Sequence, residues 1–91
     1  MAVSEATYTA VRERDGWNCV HCGMNVGINL HHMMPKTKAN RSKYPNFIDS
    51  ENNLVSLCGL MGNNCHGKYA HMYKRTEQEA ADFELILGGG R

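Results

Sequence analysis

Four cysteines are the residues whose spacing most directly indicates chemistry in this chain. They form two pairs, one with two intervening residues and one with six: Cys19 and Cys22, then Cys58 and Cys65. Two such pairs converging on one ion are the usual tetrahedral ligand set of a structural zinc site, which holds a fold together and performs no reaction. The sequence therefore predicts a structural Zn²⁺, with two disulfides or a redox pair as the alternative.

Three of the five histidines lie at the expected ends of secondary structure elements. His31 and His32 close a predicted strand just before Pro35, and neighbouring strand residues point to opposite sides, so one imidazole can bind a metal while the other faces a separate water site. His66 directly follows Cys65 and opens a predicted helix, whose free N–H groups favour an anion such as phosphate. We interpret the three as a functional group, the alternative being ordinary surface histidines.

The elements that must position these residues are short helices and strands. Capping, apolar spacing and turn signals predict helices over residues 4–15, 65–75 and 76–87 and strands over residues 26–34 and 53–57. Residues 36–53 are typical of a long polar loop, which in a compact domain is usually functional or mobile. We therefore expect a single small α+β domain over residues 1–91, with its core over residues 14–75 and a flanking helix at each end.

Length and composition support a metal-stapled domain. At 91 residues a single apolar core is marginal, so a metal or disulfides are expected to add stability. The sequence shows no signal peptide and no run near the roughly 20 apolar residues that span a bilayer. We therefore expect a protein of the reducing cytoplasm with no membrane partner, where thiols more often bind metal than form disulfides.

Basic residues are concentrated in the middle of the chain. Residues 16–48 and residues 52–76 contain no Asp or Glu. The lysines and arginines of these two segments are Lys36, Lys38, Arg41, Lys43, Lys68, Lys74 and Arg75. This asymmetry suits a polyanionic ligand on one face, although the net charge of +1 does not by itself identify one.

Four stretches of the chain occur in a specific order and spacing. They are residues 14–23 (RDGWNCVHCG), 30–35 (LHHMMP), 53–58 (NLVSLC) and 65–68 (CHGK). Together they resemble the HNH endonuclease family, and most of all the small stand-alone members carried by bacteriophages. The resemblance extends over residues 14–71. It departs from the family at the second cysteine pair, which usually has two intervening residues where this chain has six.

The resemblance implies a ββα-metal (His-Me finger) core around one catalytic ion. By that match His31 and His66 take the two metal-ligand positions, and His32 takes the position of the general base. Asn53 takes the middle position, where the family's asparagine orients the base and its loop by hydrogen bonding. Some relatives have a further ligand four residues after the helical histidine, but this chain has Ala70 there.

The mechanism implied is hydrolysis of a phosphodiester bond. His32 would take a proton from the attacking water, while its second ring nitrogen is expected to bond a backbone carbonyl held in place by Asn53. Mg²⁺ or Mn²⁺ on His31 and His66 would neutralise charge as the bond breaks, and Ni²⁺ or Zn²⁺ could occupy the same site. The products expected from the family pattern carry 5′-phosphate and 3′-hydroxyl ends.

The expected substrate is double-stranded DNA, read with low sequence specificity. Candidate phosphate contacts are Arg14, Lys36, Lys38, Arg41, Lys43 and Lys68, the alternative for each being an ordinary solvated side chain. A single site on a monomer or weak dimer would nick one strand. The resemblance also implies a bacterial host cytoplasm and phage DNA-packaging proteins as partners.

Two other readings remain open. One is a non-catalytic zinc module that binds DNA or protein through the same four-cysteine scaffold. The other is a structural or adaptor protein of a phage particle, which would bind a packaging partner through the acidic C-terminal helix. Metal-dependent cutting by the purified protein would separate the enzyme from both.

Overall fold

A capping residue determines where the first helix begins. In the computed structural model of the protein, which describes residues 3–88, helix α1 spans Glu5–Arg14. The Ser4 side chain accepts a hydrogen bond from the backbone N–H of Thr7, which satisfies one of the free donors of the first turn. The helix ends at Arg14 with Asp15 as its C-terminal cap, close to the end that the sequence predicted.

Two strands form an antiparallel pair at the centre of the molecule. Strand β1 spans Ile28–His32 and strand β2 spans Leu54–Cys58, with Ile28 opposite Cys58 and His32 opposite Leu54. All five residues of β2 are buried, so this strand runs through the core. β1 is shorter than the predicted 26–34 because Gly27, with a φ of 62°, turns the chain just before it.

The segment between the strands is more ordered than expected. The prediction of a polar loop over residues 36–53 is wrong in two respects: helix α2 spans Lys38–Lys43, and a 3₁₀ helix spans Glu51–Asn53. Thr37 caps α2 by accepting a hydrogen bond from the backbone N–H of Asn40. The segment also supplies three buried side chains, those of Tyr44, Phe47 and Ile48.

The chain after β2 forms two further helices. Helix α3 spans Cys65–Tyr69, and a 3₁₀ turn over Ala70–Met72 follows it, so the helix predicted over residues 65–75 is shorter than expected. Gly67 lies inside α3, and glycine weakens a helix by about 1 kcal/mol relative to alanine. Helix α4 spans Glu77–Leu87 and begins with a reciprocal capping box between Thr76 and Glu79.

The core consists of two clusters of buried residues. The first surrounds the cysteines and contains Cys19, Val55, Leu57, Cys58 and Cys65. The second packs the segment after α2 against α4 and contains Met34, Tyr44, Phe47, Ile48 and Ala80. The rings of Phe47 and Phe83 stack in it with centroids 5.5 Å apart. Within residues 3–88, none of the helices has the length and apolar character needed to cross a membrane.

The end of α1 is joined to β2 by a charged pair. The Asp15 carboxylate accepts hydrogen bonds from Arg14 at 2.8 Å and from the backbone N–H of Ser56 at 2.9 Å. Arg14 also donates to the carbonyls of Glu51 at 2.8 Å and Leu54 at 2.7 Å. Burial acts to raise the pKa of Asp15, but the hydrogen bonds from Arg14 and Ser56 outweigh it and lower that pKa.

We expect Asp15→Asn to lower the free energy of unfolding by about 1–3 kcal/mol, because it weakens hydrogen bonds to a charged group that is only 6 % exposed. Urea unfolding of the zinc-loaded protein at neutral pH measures this. Asp82→Asn is the matched control, since Asp82 is an exposed α4 residue whose side chain accepts a hydrogen bond from Gln78 one turn away. Equal losses in the two variants would contradict the role given to Asp15.

Candidate metal centre and histidine cluster

The four cysteine sulfurs converge as the sequence predicted. Their Sγ atoms all lie within 4.8 Å of one another, and those of Cys22 and Cys58 are 3.6 Å apart. A tetrahedral zinc ion with Zn–S bonds of about 2.3 Å holds its sulfurs about 3.8 Å apart, so the cluster fits a structural zinc site. Among residues 3–88 this is the one group of three or more metal-binding side chains.

The six residues between Cys58 and Cys65 fold back as a tight loop. The backbone N–H groups of Gly62 and Asn64 both donate to the carbonyl of Gly59, at 3.0 and 2.9 Å. A β-carbon at Gly62 would lie 3.0 Å from the Cys58 β-carbon and 3.1 Å from the Val26 carbonyl, so only glycine leaves room for the fold-back. The unusual spacing is therefore compatible with four sulfurs at one point.

Three of the four thiols have a pKa below the ordinary value of a cysteine. The pKa of Cys22 is lowered chiefly by the N–H of Met24, and that of Cys58 by the N–H of Cys65. Burial acts to raise the pKa of Cys19, but backbone N–H groups outweigh it and lower that pKa. Burial raises the pKa of the Cys65 thiol. A bound cation would stabilise all four thiolates together, which couples metal binding to pH.

His31 and His66 face each other across the junction of β1 and α3. Their ring centroids are 5.2 Å apart, with the ring planes inclined at 66°. His31 Nε2 lies 3.1 Å from the carbonyl oxygen of Tyr73, so a proton on Nε2 leaves Nδ1 as the free electron-pair donor. Burial lowers the pKa of His31, and its two neighbouring histidines lower it further, which favours the neutral form that binds metals.

His32 points to a different partner from its neighbour. Its Nε2 lies 2.8 Å from Oδ1 of Asp49, and the Lys36 ammonium lies 3.2 Å from the same oxygen. Burial acts to raise the pKa of Asp49, but the hydrogen bonds from His32 and Lys36 outweigh it and lower that pKa. The expected backbone carbonyl acceptor is therefore wrong, because a side-chain carboxylate takes that place.

Sequence reasoning missed Asp49. One signal for it exists: Asp49 is the first acidic residue after Asp15, within a segment otherwise rich in lysine and arginine. A contact across 17 positions has no characteristic spacing, however, so the sequence alone does not pair Asp49 with His32.

Asn53 is fully buried and joins the two parts of the chain that carry His32 and Asp49. Its Oδ1 accepts a hydrogen bond from the N–H of Met34 at 2.7 Å. Its Nδ2 donates to the carbonyls of Met34 at 3.1 Å and Ile48 at 2.9 Å. Met34 lies two residues after His32, and Ile48 directly precedes Asp49. The Asn53 amide thus holds both ends of the His32–Asp49 contact in register.

A cavity of about 410 Å³ opens beside these histidines. Its polar lining consists of His31, His32, His71, Lys74 and Arg75, with no carboxylate among the lining residues. Arg75 also donates to the carbonyl of Asn52 at 3.0 Å and to Glu79 at 3.2 Å, which fixes its position. The cavity is therefore suited to an anionic group next to a histidine oriented by a carboxylate.

The other basic residues predicted to contact DNA phosphates differ in their surroundings. The Arg14 guanidinium is hydrogen bonded to Asp15 and to two backbone carbonyls of the protein itself. The Lys43 ammonium lies 3.4 Å from Glu77. Lys38, Arg41 and Lys68 are exposed. Contacts of these residues with DNA remain predictions.

The chain matches no protein-family model, and neither a curated protein nor a solved structure matches it. Its function therefore has to be inferred from the chemistry of its own residues. Those residues provide a four-thiol metal centre, a close histidine pair and a histidine–carboxylate contact that opens onto a basic cavity.

We expect the purified protein to bind one zinc ion per chain through four sulfurs at about 2.3 Å, as X-ray absorption spectroscopy would measure. Chelation or Cys58→Ser should unfold it, because the thiols form part of the core. Affinity for zinc should fall as the pH is lowered, since protons compete for the thiolates.

The matched control for zinc binding is His21→Ala, a change inside the first cysteine pair that removes no thiol. This variant should keep its zinc. A chain that stays folded and cooperative after complete metal removal would contradict the structural role of the cluster.

Proposed function

We propose that the protein is a divalent-metal-dependent endonuclease of the HNH type that hydrolyses phosphodiester bonds in double-stranded DNA. The observation that carries the proposal is the His32–Asp49 contact beside the close pair of His31 and His66. A histidine held by a carboxylate is a common arrangement of a general base. The resemblance to the HNH family assigns roles to the same three histidines and supports the proposal independently.

The histidine pair fits a shared divalent cation. Two imidazoles bound at about 2.1 Å and at a right angle have ring centroids about 4.6 Å apart, and wider angles increase that distance. The centroid distance of 5.2 Å between His31 and His66 falls in this range. With two protein ligands, Mg²⁺ or Mn²⁺ completed by water and phosphate oxygens is the expected occupant, and Ni²⁺ or Zn²⁺ could replace it. A cation held by His31 and His66 would stabilise negative charge at the scissile phosphate and the leaving 3′-oxygen.

His32 acts as the general base in this proposal. Because Asp49 accepts a hydrogen bond from Nε2, the proton of the neutral ring lies there and Nδ1 is left to accept a proton from water. Asp49 then stabilises the imidazolium that forms. Asn53 keeps the two side chains in register through Met34 and Ile48 and is a positioning residue.

The basic lining of the cavity is suited to the phosphate backbone. His71 and Lys74 are exposed at its rim, where they can contact phosphate oxygens. Such contacts carry no base information, which agrees with the low sequence specificity proposed. A single site of this kind cuts one strand, so nicking with 5′-phosphate and 3′-hydroxyl ends is the proposed outcome. Action beside phage DNA-packaging proteins in a bacterial cytoplasm stays a prediction from the resemblance.

A non-catalytic zinc module is the competing reading. It would use the cysteine cluster and the basic surface, but it would not need His32 and Asp49 to be held together by a buried asparagine. Loss of activity without loss of DNA binding in a His32 variant separates the two readings.

We expect zinc-loaded wild-type protein to nick supercoiled plasmid when Mg²⁺ or Mn²⁺ is added. His32→Ala should lower the rate by about 10²–10⁴-fold, because it removes the general base. Asp49→Asn should lower it by about 10–100-fold, because it removes the group that fixes the tautomer and orientation of the ring. Gel electrophoresis of nicked and supercoiled plasmid gives these rates.

His21→Ala is the matched control, since it removes an imidazole that does not line the cavity. Each variant is compared at equal zinc content and equal helicity by circular dichroism. A folded, zinc-loaded wild type that cuts DNA with none of Mg²⁺, Mn²⁺ and Ni²⁺ would overturn the proposed function. Full activity in His32→Ala would overturn the assignment of the base.

A further inference from the structure

Two apolar side chains project from the loop between the second pair of cysteines. Leu60 is 88 % exposed and Met61 is 80 % exposed, more than any other large apolar side chain in residues 3–88. We call these two residues the apolar tip. Exposing two adjacent large apolar groups costs free energy that burial against a ligand would recover.

The backbone beneath the apolar tip is firmly held. Gly59 donates its N–H to the carbonyl of Gly27 at 2.8 Å, and the loop is bounded by two cysteines of the metal centre. A β-carbon at Gly27 would lie 2.9 Å from the β-carbon of Met61, so the loop packs directly on the start of β1. The tip is therefore presented on a preorganised support, and little conformational entropy is lost when it inserts into a ligand.

The apolar tip borders the proposed active site. It lines a recess of about 490 Å³ together with Asn29, Asn64 and His66, and His66 is one of the two proposed metal ligands. No Asp or Glu occurs between residues 52 and 76, whereas this segment contains Lys68, Lys74 and Arg75. The residues that line the recess include no carboxylate that would repel phosphates, and Lys68 lies two positions after His66.

We infer that the apolar tip inserts between stacked base pairs of the DNA bound at the active site. Apolar wedges of this kind enter the minor groove, unstack one base step and kink the duplex. The cost is lowest where stacking is already weak, at a mismatch or a flexible pyrimidine–purine step. The preferred substrate is therefore a duplex with a locally weakened stack. This inference rests on the proposed function, because it takes DNA as the ligand of the neighbouring site.

The test uses a short duplex with a 2-aminopurine beside a single mismatch, whose fluorescence rises when the base unstacks. The protein is the zinc-loaded His32→Ala variant, which binds without cutting. We expect a fluorescence rise on binding and tighter binding to the mismatched than to the matched duplex. Adding Leu60→Ser and Met61→Ser should remove the rise and weaken binding to the mismatched duplex by about tenfold, since two apolar side chains no longer enter the stack.

The matched control adds Leu85→Ser and Ile86→Ser instead, at two exposed apolar positions of α4 that are 62 % and 70 % exposed. These changes should alter neither fluorescence nor affinity. If the tip variant unstacks and binds the mismatched duplex as well as its parent, the wedge is overturned while the nuclease proposal stands. If the parent does not bind DNA at all, both proposals fail. The tip would then be tested for insertion into a groove on another protein.

Discussion

Convergence of four thiols is the constraint on which the other features of the molecule depend. The sulfurs, all within 4.8 Å of one another, come from the turn after α1, the end of β2 and the start of α3. Three of these cysteines are themselves buried core residues, so the metal centre and the first hydrophobic cluster are one structure. The apolar core of a chain of 91 residues is small, so an ion bound at the cluster would add a substantial part of its stability. The position of His66 follows directly, since it is covalently next to Cys65.

A second constraint acts at the other end of the strand pair, where His32 lies opposite Leu54. His32 ends β1, whereas Asp49 comes from a segment that packs on α4, and these two parts of the chain meet through the buried amide of Asn53. The amide is neutral and fully hydrogen bonded, so it can be buried at little cost. His32 lies in the lining of the cavity. The contact between His32 and Asp49 is thus supported by uncharged, buried hydrogen bonds.

Local sequence patterns predicted much of this arrangement. The cysteine spacing, a strand within residues 26–34 and a last helix over residues 76–87 are signals within a few residues, and the structure contains a counterpart of each. The apolar side chains of Tyr44, Phe47 and Ile48 were missed because they are spaced irregularly among polar residues and are buried only by contact with α4. The contact between His32 and Asp49 was missed for a similar reason. The two residues are 17 positions apart, and neither helical nor strand periodicity brings residues at that separation together. A catalytic metal, the DNA substrate and the cutting reaction remain proposals.

We propose that His31 and His66 bind a divalent cation that is separate from an ion held by the four cysteines and lies next to His32. Pulsed EPR of Mn²⁺ added to the zinc-loaded protein tests this most directly, because nitrogen couplings count the imidazole ligands of the ion. Two coupled nitrogens in the wild type, and one after His31→Ala or His66→Ala, is the predicted result. Mn²⁺ that remains hydrated, or that keeps both nitrogen couplings when His31 and His66 are replaced, would contradict the claim.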